Sequence, residues 1–315
     1  MSDMKAIPVI NGPYIDVIGW LTAPACIPVI SVPGMGEPAT APYKFVGPSD
    51  VILQYEIDHN VVDLPFSIRK KSGVARARSA SKATIFASSL GAEFIKHCHS
   101  SGEDIGVTCV SNSSAMPIAW EFERVGVRDG WDETDTMLLP SSIPSAISTQ
   151  TAAAHNLHAT ALTFLDGIMG ACSALEYATL CFHYQRAQKM LLLCAEEIIP
   201  LHLTTIEHLN LVYSRLLFNG ASGIVLSDPK QKTKGWQFKI IHRYSPDQRP
   251  VLPPEWENDH AYYEFILKQD LTAFTSYLLP FLINQAVNEF GNKKIIVKCG
   301  HENIGGFILG LEWKE

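Results

Sequence analysis

ATALTFLDGIMGACSALEYATLCFHYQRAQKMLLLCAEE, residues 159–197, is the stretch whose reading decides the fold. Ala159–Leu165 is an apolar run of strand length, and Lys189–Cys194 is a second one. Between them the glycine-bearing segment Asp166–Gly170 reads as a turn and Ala171–Ala187, with few breakers, as a helix. The unit is strand, turn, helix, strand, and it predicts Cys172 at the first turn of the helix. Unpaired N–H groups and the helix dipole favour negative charge there. A thiol in that position ionises more readily and becomes a usable nucleophile. The alternative is a small core residue, since free cysteine is among the most buried residue types. Cys181 and Cys194 have that character.

The same alternation runs outward in both directions. Tyr14–Trp20 reads as a first strand, and Leu21–Asp50, rich in proline and glycine, as a long surface excursion. Val51–Val62 reads as a short strand or an irregular segment. Ser79–His99 is a helix, Asp104–Val110 a strand, Ser111–Ser114 a polar turn and Pro117–Val125 a helix. Ser145–Asn156 is a helix rich in small residues. Beyond residue 197, Thr204–Leu217 has helical spacing, and Gly220–Leu226 and Trp236–Tyr244 read as strands. His260–Phe290 has an amphipathic helical pattern with Pro280 inside it. Lys293–Cys299 and Phe307–Trp313 read as strands around the glycine-flanked turn Gly300–Gly306. Strands alternating with helices throughout predict an α/β protein with a layered sheet arrangement.

The chain has 315 residues, 47% of them hydrophobic, ample for one large or two fused α/β cores. A net charge of −7 with no long basic run argues against nucleic-acid binding. The densest basic stretch, Arg69, Lys70, Lys71, Arg76, Arg78 and Lys82, reads either as a solvated loop and helix start or as a surface for acidic carrier protein or phosphate. Seven scattered cysteines without metal-ligand spacing fit reduced thiols in a cytoplasm, and no metal or cofactor is expected. No signal-peptide pattern opens the sequence, and no apolar run reaches the length of a membrane span.

GACSALEYA, with Ala171, Cys172, Ser173 and Ala178 in register, resembles the nucleophile segment of the thiolase-like condensing enzymes, the β-ketoacyl-ACP synthases. Met190–Glu197 (MLLLCAEE) resembles the following strand of ketoacyl synthase III, and Arg215–Leu226 (RLLFNGASGIVL) that family's Leu-Phe-Gly-Asp-Gly-Ala-Gly-Ala-x-Val-Leu block. Met137–Leu157 resembles the proline-bearing turn and helix of synthases I and II. The resemblance implies a thiolase-like layered α/β/α/β/α fold of two similar halves. Residues 1–200 would be the first half, carrying the nucleophile segment, and residues 201–315 a shortened second half. It also implies a dimer through Ala159–Leu165, either a homodimer or a heterodimer with a ketosynthase.

The expected chemistry is acyl transfer or condensation on acyl carrier protein or coenzyme A thioesters in fatty-acid or polyketide-type biosynthesis. Cys172 would accept the acyl group. The family's His-Gln-Ala-Asn and Glu-x-His-Gly-Thr-Gly-Thr blocks are absent; Asn284–Asn288 is a faint echo of the first. KCGHENIGGF (Lys298–Phe307) resembles either of two family features. As the loop carrying a second catalytic side chain, it would bring His301, with Asn303, to face Cys172. As the closing hairpin, it would have Gly305 and Gly306 line the oxyanion site. The second register is preferred. Two functions follow. One is an acyltransferase using Cys172; the other is a catalytically degenerate partner subunit, of chain-length-factor type, for an active synthase.

Overall fold

The computed structural model describes residues 7, 9–23, 26–33, 64–197, 219–248, 250–257, 260–267, 275–290, 294–301 and 304–315; for residues 265–267 and 301 it describes the backbone alone. The expectations for Val51–Val62 and Thr204–Leu217, and for most of Leu21–Asp50, lie outside the described residues.

The strands are β1 (Tyr14–Thr22), β2 (Pro28–Ser31), β3 (Ile105–Val110), β4 (Ala161–Phe164), β5 (Lys189–Glu196), β6 (Gly220–Ser227), β7 (Gly235–Tyr244), β8 (His260–Leu267), β9 (Lys294–His301) and β10 (Gly305–Lys314). The helices are α1 (Phe66–Lys71), α2 (Lys82–Ile95), α3 (Met116–Asp129), α4 (Ala146–His155), α5 (Gly167–His183) and α6 (Leu278–Phe290). The strands join in the order β4-β3-β5-β6-β1-β7-β10-β9-β8, with β2 flanking β1. A single residue pair, Tyr14 with Gln237, links β1 to β7. The array is therefore two sheets joined where Ile10–Tyr14 runs beside Gln237–Lys239.

An internal repeat that the sequence hides is plain in this order. In the first sheet β4, β3 and β5 run parallel, and β6 runs antiparallel to both β5 and β1. In the second, β8 and β9 run parallel, and β10 runs antiparallel to both β9 and β7. Among the described residues, the second sheet repeats the first without a counterpart of β4. Residues 268–277 alone separate β8 from α6, where residues 111–166 separate β3 from α5. β6, assigned from sequence to the second half, pairs with β5 and β1 in the first sheet.

Four layers pack in sequence. α2 and α4 cover one face of the first sheet, where Phe86, Leu90, Phe94 and Ile147 meet Val107, Leu191, Leu193 and Val225. α5 and α6 fill the space between the two sheets; Trp20 of β1 lies 5.5 Å from Phe281 of α6, centroid to centroid. β3, β5 and β6 are covered on both faces, which is why they read as near-continuous apolar runs. The outer face of the second sheet is covered, among the described residues, by Ile7, Leu252 and, from the single 3-10 turn Pro254–Trp256, Trp256. The expected fifth, helical layer is not found there among the described residues.

Residues 260–290, where the sequence shows an amphipathic helical pattern and leaves a break at Pro280 open, divide instead into a strand and a helix. HAYYEFIL forms β8, with Tyr262 and Glu264 exposed and Tyr263 half-buried against the core. Its aromatic and β-branched residues suit a half-covered pleat. Pro280 does not break α6, because it lies in the first turn, where a missing N–H removes no helical bond.

Candidate functional site

The site that the sequence points to is the passage from β4 into α5. β4 ends at Phe164, Asp166 stands in the left-handed region at φ 80°, and α5 begins at Gly167, φ 55°. The helix therefore starts four residues before its expected position. Gly170 was read as part of a turn, yet it is a packing glycine inside the helix: a Cβ there would lie 1.8 Å from the Leu165 carbonyl oxygen. The consequence falls on Cys172. It is the sixth residue of α5 and belongs to its second turn, so its amide lies within the i→i−4 ladder rather than among the free N-terminal donors.

Those free donors are already occupied. The amides of Asp166 and Gly167 donate to Asn112 Oδ1 at 2.7 and 3.4 Å. The amide of Ile168 donates to Thr275 Oγ1 at 3.2 Å. The amides of Met169 and Gly170 donate to the Asp166 carbonyl, both at 3.1 Å. Asn112 comes from the turn after β3, and Thr275 from just before α6, so both halves of the protein close this helix end.

Cys172 itself is fully buried, and its Sγ lies 3.6 Å from Cys299 Sγ of β9. Burial pushes the Cys172 thiol pKa well up, and the neighbouring Cys299 thiol pushes it the same way. The group stands as a neutral thiol.

β9 and β10 form a hairpin, and Cys299 of β9 brings it beside Cys172. Cys299 pairs with Phe307, Gly300 with Gly306 and His301 with Gly305 across β9 and β10. A Cβ on Gly305, φ 97°, would strike the Tyr244 carbonyl oxygen at 2.1 Å, and one on Gly306 the Cys299 carbonyl oxygen, also at 2.1 Å. These glycines let three strands approach one another. His301 ends β9; its side chain, and Asn303 altogether, lie outside the described residues. Nearby, the buried Tyr244 hydroxyl has no hydrogen-bond partner among the described residues, and Lys298 Nζ sits 5.5 Å from its ring centroid.

Sequence reasoning missed the most heavily bonded group of the region, Glu196. It is fully buried at the end of β5 and accepts from Ser113 Oγ at 2.6 Å, Ser276 Oγ at 2.7 Å, Ser111 Oγ at 3.3 Å and the Asn112 amide at 3.4 Å. Burial raises its pKa to about 7, against the pull of those donors. Its neighbour Glu197 accepts from the Lys82 amide at 2.6 Å, at the start of α2. The two carboxylates thus tie the turn after β3, the start of α2 and the start of α6 to one strand end. The only sequence signal was the serine-rich turn Ser111–Ser114 beside an acidic pair closing an apolar run.

A cavity of about 790 Å³, lined by Pro13, Thr179, Phe182, Asp228 and Ile241 among others, opens at the far end of α5. Among the described residues no group of three or more His, Cys, Asp or Glu could hold a metal ion, and no helix is long and apolar enough to cross a membrane.

No family model and no curated relative matches the sequence. Solved structures do. The ishigamide ketosynthase/chain length factor is 14% identical with a TM-score of 0.65, over 97% of this chain and 100% of that one. A type II polyketide synthase ketosynthase, in complex with its acyl-carrier protein and bound to the hexaketide, is 12% identical with a TM-score of 0.58, over 75% and 85%. A Xanthomonas campestris OleA variant bound with cerulenin is 8% identical with a TM-score of 0.53, over 97% and 98%. The chain has the thiolase-like fold of ketosynthase-type proteins.

Proposed function

We propose that this chain is a ketosynthase-like partner subunit, of chain-length-factor type, which assembles with an active ketosynthase and carries no acyl group itself. One observation carries the reading: the N-terminus of α5 presents Asp166 and Gly167 rather than a thiol, and Asn112 and Thr275 occupy its amides. A covalent acyl-transfer site needs a reachable nucleophile and unoccupied donors for the oxyanion. Cys172 has no solvent exposure. The partner would hold the acyl group, delivered as a carrier-protein or coenzyme A thioester for fatty-acid or polyketide-type chain building, and neither metal nor organic cofactor is needed. β4 supports the pairing. Among the described residues it is an edge strand, with Ala161 and Leu162 exposed and exposed Leu165 following, and it offers its outer backbone groups to a second sheet. Seven free cysteines fit a reducing compartment, the cytoplasm.

A second reading keeps Cys172 as the acyl acceptor, with His301 and Asn303 as polar partners and Gly305 and Gly306 at the oxyanion. What favours it is the meeting of Cys172, Cys299 and the hairpin glycines in one place. One experiment separates the two. The protein is incubated with acyl-CoA and with acyl-carrier protein, digested, and the Cys172 peptide weighed. In parallel it is co-expressed with a type II ketosynthase and fractionated by size. The partner reading expects an unmodified peptide and a heterodimer. An acyl mass that disappears in Cys172→Ala, or a homodimer indifferent to the ketosynthase, overturns it.

A further inference from the structure

We infer that the cavity at the far end of α5 is a binding site for a small amphipathic amine, whose apolar body fills the cavity and whose ammonium group meets Asp228. This site is independent of the pairing proposed above.

Shape is the first observation. The cavity measures about 790 Å³, within the range of small-molecule sites. Its walls come from the second half of α5, the segment Ile10–Pro13 before β1, the turn after β6, and Ile241 of β7. Hydrogen bonds hold these pieces in place. The amide of Ile10 donates to the Lys239 carbonyl at 2.7 Å, and that of Gly12 to the Phe238 carbonyl at 2.9 Å, both in β7. The Asp228 amide donates to the Gln188 carbonyl at 3.0 Å. Arg243 Nη2 of β7 reaches Glu176 Oε2 of α5 at 3.4 Å. A cavity pinned in this way takes a ligand with little rearrangement. Pro13, Phe182 and Ile241, all buried, give it apolar walls.

Charge is the second. Asp228 lines the same cavity and is only 6% exposed. Its Oδ1 accepts from the Lys230 amide at 2.9 Å, which closes the turn. Its Oδ2 has no hydrogen-bond partner, and the carboxylate no ion pair, among the described residues. Burying a carboxylate without a counter-charge costs free energy, and a bound cation removes that cost. The other titratable groups on the lining are placed differently. Glu176 already has Arg243 as its partner, and His183 and Lys230 are exposed. A fatty acid or a phosphate ester would set its own negative charge against Asp228 and Glu176. A small hydrophilic cation would leave the apolar walls uncovered. An amine on an apolar body meets both demands.

The test titrates the full-length protein by calorimetry with naphthylbutylamine, with the neutral naphthylbutanol and with the anionic naphthylbutyrate. The amine should bind about tenfold or more tightly than the alcohol, and the acid most weakly. Asp228→Asn keeps an acceptor for the Lys230 amide. It should remove the amine's advantage and leave the alcohol's affinity within about twofold. Thr179→Trp sets an indole into the cavity from a half-buried position of α5 and should abolish binding of all three compounds. Far-UV circular dichroism checks the fold of both variants. Equal affinity for amine and alcohol overturns the inference, as does an amine indifferent to Asp228→Asn. So does binding that survives Thr179→Trp, or no binding of the amine at millimolar concentration. Tightest binding by the acid overturns it too, and would make the cavity an acyl site.

Discussion

Replacing Glu196 with Gln removes a titration from the middle of the molecule. In the fold its pKa stands at about 7 instead of 4.5, because burial disfavours the carboxylate more than its four donors favour it. A folded-state pKa raised above the unfolded one means that the group's contribution is fully present below the unfolded value and is lost as pH rises through the folded one. The window therefore runs from about pH 4.5 to about 7. At roughly 1.4 kcal/mol per unit, the charged form costs about 3 kcal/mol above that window. Gln keeps the shape: its Oε1 accepts from the Asn112 amide and the Ser276 hydroxyl, and the hydroxyls of Ser111 and Ser113, which meet the other oxygen in Glu196, can rotate to accept from its NH₂ group. Urea unfolding at pH 5, 6, 7 and 8 measures the effect. Glu196→Gln should match wild type within about 1 kcal/mol at pH 5 and exceed it by about 2–3 kcal/mol at pH 8. Parallel pH profiles for the two proteins would refute the reasoning, as would a variant weaker than wild type at every pH.

Asn112→Ala removes the acceptor for two amides at the start of α5 and should cost about 1–2 kcal/mol, read as a lower thermal midpoint. Gly170→Ala forces a methyl to within 1.8 Å of the Leu165 carbonyl oxygen and should cost about 3 kcal/mol or prevent soluble expression. Cys172→Ala removes one buried sulfur and should cost only about 1–2 kcal/mol, without altering product formation by the assembled pair in a turnover assay. Leu162→Asp puts a charge on the exposed edge strand β4, and size-exclusion chromatography should show the heterodimer lost while the circular dichroism of the isolated chain is kept.

Elements with a strong local period were legible from residues alone. β1, β3, β5, β6 and β7 stand where apolar runs placed them, and α2, α3 and α4 within a few residues of their expected ends. Failure came where one residue type serves two purposes. Gly167 and Gly170 look like turn glycines, but one starts α5 at positive φ and the other admits the end of β4, so the helix and its cysteine were displaced by a turn. His260–Leu267 has apolar residues that fit either period, and only pairing with β9 makes it a strand. The contacts that close the α5 N-terminus could not be read from sequence. Asn112 lies 54 residues from Asp166, and Thr275 lies 107 from Ile168. No local pattern records such distances.

The position of β1 has a consequence for how the chain is made. Tyr14–Thr22 pairs along its length with Gly220–Ser227, and at Tyr14 with Gln237. β1 therefore has no neighbour on that side until about 200 further residues have been made. Contacts of such sequence separation slow folding, and an apolar strand waiting for its partner is exposed to wrong ones. Until then the most apolar N-terminal segment needs to be kept apart from other nascent chains, so a demand on chaperones during synthesis is written into the strand order.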